Sequence, residues 1–141
     1  MRSLLGFALV GVARRHRGAV AEEFEALGLY VGQEMLLSRL WEQDGQSQAA
    51  LARACGIEGP TVTKAVARME RQGLVVRGPD PVDGRVSRVS LTDAGRNLEA
   101  SVARSWRSVE ERMLTGMSQR DVAAALRLLR RMHDNLEPMK P

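Results

Sequence analysis

The side chains best equipped for chemistry lie between Gln46 and Val76, in the stretch SQAALARACGIEGPTVTKAVARMERQGLV. Thr61, Thr63, Lys64, Arg68 and Arg71 recur on one side of the segment after Gly59, opposite Val62, Val66 and Met69, whose i, i+4, i+7 spacing marks a helix face to bury. Lysine and arginine neutralise phosphate and reach guanine edges, and threonine hydrogen-bonds phosphate or touches a thymine methyl. Such a face suits the major groove of a duplex. Ahead of it, Ala49, Leu51 and Ala52 give a shorter helix its own apolar side. Cys55-Gly56-Ile57 joins the two, glycine permitting the positive φ of a sharp reversal and Ile57 plugging the angle. The spacing predicts a helix-turn-helix with a basic, hydroxyl-rich outer helix. The same geometry is also a stable way to pack short helices with a solvated basic face, because fold alone does not fix function.

Other chemistry is sparse. The chain has no G-x-G-x-x-G loop, no H-E-x-x-H and no clustered Cys/His spacing, and its two histidines stand far apart, so neither an enzyme nor a metal or cofactor is expected. The single cysteine excludes an internal disulfide and fits a reducing cytoplasm. At the turn, where a small buried apolar residue belongs, Cys55 is expected to be inert rather than a redox switch.

The elements that hold this segment follow from pattern. A chain of 141 residues is one domain by size, and 44% hydrophobic with only 4% aromatic content predicts a helical core of Leu, Val, Ala and Met. Net charge is +4, and residues 46–96 hold eight Lys and Arg against five Asp and Glu, which puts positive charge on the proposed binding unit. Residues 3–27 predict a long amphipathic helix with the stripe Leu5, Leu9, Val12, His16, Val20, Phe24, Leu27. Gly6, Gly11 and Gly18 weaken it, so packing against something else must hold it. Met1-Arg2 and the apolar run after it resemble a short signal peptide, but the run ends in Arg14-Arg15-His16-Arg17 without a small-residue cleavage site. No stretch reaches the ~18 apolar residues of a membrane span, so a soluble cytoplasmic protein is expected.

Gln33 to Gln43 predicts a helix burying Met35, Leu36, Leu40 and Trp41, stopped at Asp44-Gly45; Ser47 caps the next, and Pro60 fits the first turn of the one after. Past Gly73 the period becomes alternating. Leu74–Arg77 and Val86–Leu91 read as strands around residues 78–85, whose prolines and glycines argue for a loop, which makes the hairpin a wing. Thr92 opens a helix running to about Leu114 with the stripe Leu98, Val102, Ser105 or Trp106, Val109, Met113. Ser118 caps a last helix, Gln119 to Leu136, burying Val122, Leu126, Leu129 and Met132, and Pro138 closes the chain. The expected fold is mainly α with a small β-hairpin wing: a winged helix-turn-helix over residues 31–96, with helical regions over residues 1–30 and 97–141 whose apolar stripes need a partner, within the chain or in a second copy.

This order, with the run GPTVTKAVARMERQGLVVRGPDPVDGRVSRVSLTDAGR, resembles the MarR (multiple antibiotic resistance regulator) family of bacterial transcription factors. The likeness covers essentially the whole chain and is most specific at Leu74-Val75 with Arg77, at Asp83-Gly84-Arg85, and at Leu91-Thr92 to Gly95. It implies a homodimer whose terminal helices interdigitate and whose two lobes bind double-stranded DNA at a palindrome, as a repressor. By the same resemblance Pro60, Thr61, Thr63, Lys64 and Arg68 enter the major groove, Ser47 and Gln48 contact phosphate, and Arg85 enters the minor groove with Asp83 orienting it. Glu58-Gly59 departs from the family, which more often has Ser, Thr or Asp as the cap there. The resemblance also implies release by a small aromatic or anionic effector between the dimerisation and DNA-binding regions, with Arg14, Arg15, His16, Tyr30, Met35, Trp41 and Trp106 as candidate contacts, although each also suits ordinary core, dimer contact or surface. The alternative is a winged helix that binds protein without specific DNA recognition, which would not need Lys64, Arg68 and Arg85 displayed together.

Overall fold

The computed structural model describes residues 4–136. Its elements run α1 (Leu5–Glu25), α2 (Gln33–Glu42), β1 (Gln46–Ser47), α3 (Gln48–Cys55), α4 (Gly59–Arg71), β2 (Val75–Pro79), β3 (Ser87–Leu91), α5 (Asp93–Asn97), α6 (Glu99–Met113) and α7 (Gln119–Leu136). Ser3, the expected start of the first helix, and Pro138, expected to close the chain, lie outside the described residues, while the last helix ends at Leu136 as expected. Among the described residues no helix is long and apolar enough to cross a membrane. The chain forms two compact units, Met1–Val109 and Glu110–Pro141.

In the first unit the core gathers Val20 and Phe24 of α1, Leu36, Leu37 and Leu40 of α2, Leu51 of α3, the Val62, Val66 and Met69 stripe of α4, and Val89 and Leu91 of β3. Each such side chain, fully buried, is worth about 1.5–3 kcal/mol over leaving it in water. The burial fixes which side of each helix faces out. The sheet is antiparallel in the order β1-β3-β2, with Gln46 opposite Val89, Arg77 opposite Val89 across the other edge, and Pro79 opposite Ser87.

Several expectations change. In α2 the buried apolar residues are Leu36, Leu37 and Leu40, while Met35 is exposed and Trp41 half-buried, its indole donating to the Gly95 carbonyl at 3.0 Å. Ala49 of α3 faces solvent. The second strand runs on through Gly78-Pro79 instead of ending at Arg77, because β2 is an edge strand where proline removes no ladder donor. The single helix expected from Thr92 is two, α5 and α6, separated at Leu98. Of the α1 stripe only Val20 and Phe24 are buried, and Leu5, Leu9 and Val12 are exposed.

In the second unit Ser118 and Asp121 exchange bonds at the start of α7, Asp121 N–H to Ser118 Oγ at 3.2 Å and Ser118 N–H to Asp121 Oδ2 at 3.0 Å. This reciprocal cap satisfies free donors of the first turn. No α7 residue is fully buried: the expected core positions Leu126 and Leu129 are exposed, Val122 and Met132 half-buried.

Candidate nucleic-acid interface

The helix-turn-helix is set by a cap, a reversal and a buried stripe. Ser47 Oγ accepts the Ala50 N–H at 3.1 Å, which starts α3 as expected. Gly56 takes φ 63°, and its neighbour Ile57 donates its N–H to the Ala52 carbonyl at 3.1 Å. α4 then starts without a side-chain cap: the Glu58 carbonyl accepts the N–H groups of Thr61 and Val62, both at 3.1 Å, with Pro60 in the first turn. Since Val62, Val66 and Met69 are wholly buried, Thr61, Thr63, Lys64, Arg68 and Arg71 are turned to solvent.

Two of the expected contact residues meet each other. The Thr63 hydroxyl lies 3.0 Å from Gln48 Oε1 and 3.1 Å from the Gly59 carbonyl, and donates to one at a time. This registers the start of α3 against α4. Arg68 carries its guanidinium carbon 4.5 Å above the Tyr30 ring. Two residues beyond Arg68, Glu70 is gripped by Arg77 of β2 with Nη2 at 2.6 Å, Nε at 2.9 Å and its backbone N–H at 3.2 Å, and these bonds hold the Glu70 carboxyl below its usual range. The ion pair anchors the hairpin to the helix, a role the sequence did not single out.

The wing loop is built on Asp80, another residue the sequence left unremarked. Its buried carboxylate accepts the N–H of Asp83 at 2.9 Å and of Val82 at 2.8 Å and bonds the Arg88 guanidinium, which lowers its pKa to about 2. Arg88 also donates to the Gly45 carbonyl at 2.6 Å. Asp83 accepts the backbone N–H of Arg85 at 3.1 Å, so it shapes the turn through the main chain rather than gripping the guanidinium, and Arg85 is exposed. Behind the sheet Asp44 accepts from Leu91 N–H at 2.8 Å, Gly45 N–H at 2.9 Å and Arg96 at 2.7 Å. Partial burial raises its pKa, and these bonds outweigh it for a net lowering.

The seven residues considered for an effector are dispersed in their contacts. His16 and Trp106 meet with ring centroids 5.5 Å apart, and Trp106 stands edge-on to Phe24 at 6.1 Å. Arg14 and Arg15 are exposed on α1, Met35 offers its carbonyl to Ser38 at 2.8 Å, and Trp41 turns to Gly95. Tyr30 alone of the seven lines a cavity of about 480 Å³, with Ala21, Glu25, Gly28, Leu29, Val31 and Gln72.

Comparison with known proteins places this geometry. Residues 29–87 match the MarR family model. The uncharacterized HTH-type transcriptional regulator YdgJ of Bacillus subtilis (strain 168) is 32% identical over 119 residues, covering 83% of this chain and 72% of that one. A probable transcriptional regulator from Pseudomonas aeruginosa superposes with a TM-score of 0.82 at 30% identity, over 92% of this chain and 97% of the other. Bordetella bronchiseptica BpsR, whose DNA binding is regulated by 6-hydroxynicotinic acid, gives a TM-score of 0.82 at 25% identity over 95% and 96%. The chain belongs to the MarR family of winged helix-turn-helix, DNA-binding transcriptional regulators.

Proposed function

We propose that the protein is a cytoplasmic homodimeric repressor that occludes a promoter by binding a palindromic operator, and that a small aromatic or anionic effector releases it. Residues 31–96 form the DNA-binding region, and residues 1–30 and 97–141 the dimerisation region. Pro60, Thr61, Thr63, Lys64 and Arg68 face the major groove, Ser47 and Gln48 the phosphates at the start of α3, and Arg85 the minor groove, with Asp83 shaping its turn. The observation that carries this reading is the division of α4 into a wholly buried apolar face and an exposed face of threonine, lysine and arginine, with the hairpin tied to the same helix through Glu70 and Arg77. Two-fold symmetry would double the contacts, since paired half-sites lie roughly 34 Å apart on one face of B-DNA. The effector class follows the 6-hydroxynicotinic acid of the Bordetella relative.

Selection of bound duplexes from a random pool is expected to recover an inverted repeat. On that duplex Arg85→Ala is expected to weaken binding about tenfold or more in a gel-shift titration at fixed salt, while the melting curve stays that of the parent protein. Unchanged affinity would remove Arg85 from the interface, and recovery of no preferred sequence would end the operator reading.

A further inference from the structure

We infer that the connection between α1 and α2 is a positioning device for Arg68, with the Tyr30 ring as its platform; this rests on the proposal that α4 faces DNA. An arginine free on a helix surface samples many rotamers, and each must be given up when it binds a phosphate. Here the guanidinium carbon already lies 4.5 Å over the ring. Stacking uses the flat face of the guanidinium and leaves the N–H donors around its edge, so the group is held while keeping both its charge and its hydrogen bonds for an anion.

The platform is itself referenced to α4. Tyr30 donates its N–H to Gln33 Oε1 at 3.0 Å, Gln33 Nε2 donates to Gln72 Oε1 at 2.8 Å, and Gln72 Nε2 returns to the Gly28 carbonyl at 2.7 Å. Gln33 is buried and Gln72 is the residue that ends α4, so this amide relay fastens the connection to the helix that carries Arg68. Tyr30 as a residue is 57% exposed, which a core anchor would not be.

The test measures affinity and its salt dependence on a duplex recovered by selection, for the full chain and its variants. Tyr30→Ala and Tyr30→Leu, which lack a π face, are expected to weaken binding about two- to fivefold for each Arg68 engaged. Tyr30→Phe, which keeps the face, is expected to match the parent. Arg68→Ala is expected to reduce the slope of log affinity on log salt by about one per contact, whereas the Tyr30 variants keep the parent slope because the charge remains. In the Arg68→Ala background, Tyr30→Leu is expected to cost nothing more. Tighter binding by Tyr30→Leu, an equal loss in both backgrounds, or parent affinity for Arg68→Ala would each overturn the inference while leaving DNA binding intact. If Tyr30→Ala fails to fold, the Leu and Phe variants decide. Absence of any salt-dependent duplex binding by the parent protein would sink the DNA reading, and this inference with it.

Discussion

Asp80 is the residue on which the wing loop turns. Two backbone donors and the Arg88 guanidinium converge on one carboxylate, and its pKa falls from the ordinary 3.8 to about 2. A folded value below the ordinary one means that the ionised form stabilises the native loop. That contribution is complete above about pH 4 and is lost as pH falls through about 2. Asp80→Asn keeps the shape but gives up the charge, and is expected to speed amide exchange at Val82 and Asp83 at neutral pH while protection in α4 stays unchanged. Equal exchange in the two proteins would show that proline and glycine alone hold the loop. Cys55 points the other way. Burial pushes its thiol above the ordinary value, the nearby Arg39 only partly offsetting this, so little thiolate exists near neutrality. DNA binding is expected to survive peroxide treatment, as a gel shift before and after exposure will tell. The Ser47 cap was legible because its chemistry is local, whereas the Asp80 network depends on Arg88 and Gly45, brought together only by the sheet.

At the level of elements, the step from hairpin to α5 leaves no room for a side chain at Gly95. A Cβ at Gly95 would collide with the Leu74 carbonyl and crowd the Leu91 side chain at 3.1 Å, so backbone would have to move. Gly95→Ala is expected to cost about 1–3 kcal/mol, read as a lower urea midpoint with unchanged slope. The same step explains what pattern could and could not give. Thr92 announces a helix start, and its hydroxyl accepts the Gly95 N–H at 3.1 Å. The break at Leu98 is unannounced because that residue keeps helical dihedrals, φ −73° and ψ −21°, which need no glycine or proline. β1 is two residues long and has no period to detect. The α3–turn–α4 unit was readable because glycine at the reversal and a three-residue apolar stripe are both written in adjacent sequence.

The whole molecule leaves apolar surface that a lone chain does not cover. In the first unit α1 exposes Leu5, Leu9 and Val12, at 63%, 41% and 56%, and a Cβ added at Gly6, Gly11 or Gly18 would meet nothing within 4 Å. In the second, α7 exposes Leu126 and Leu129, at 51% and 46%. The stripes were legible in sequence, but what they pack against was not, because periodicity reports that a face is apolar and says nothing about whose atoms will meet it. Contiguous apolar faces of this kind mark association sites, and a second copy is the partner proposed for both. Light scattering on the purified protein is expected to give twice the chain's 15.5 kDa, and the melting temperature to rise with protein concentration, as mass action requires when folding and association are linked. Leu126→Glu is expected to shift the mass toward the single chain and, at equal protein concentration, to weaken binding to the selected duplex more steeply than loss of any one groove contact, because each half-site would then be bound alone. A mass of one chain for the parent protein would leave the α1 and α7 faces without a partner in a second copy and would break the two-fold symmetry on which a palindromic operator depends.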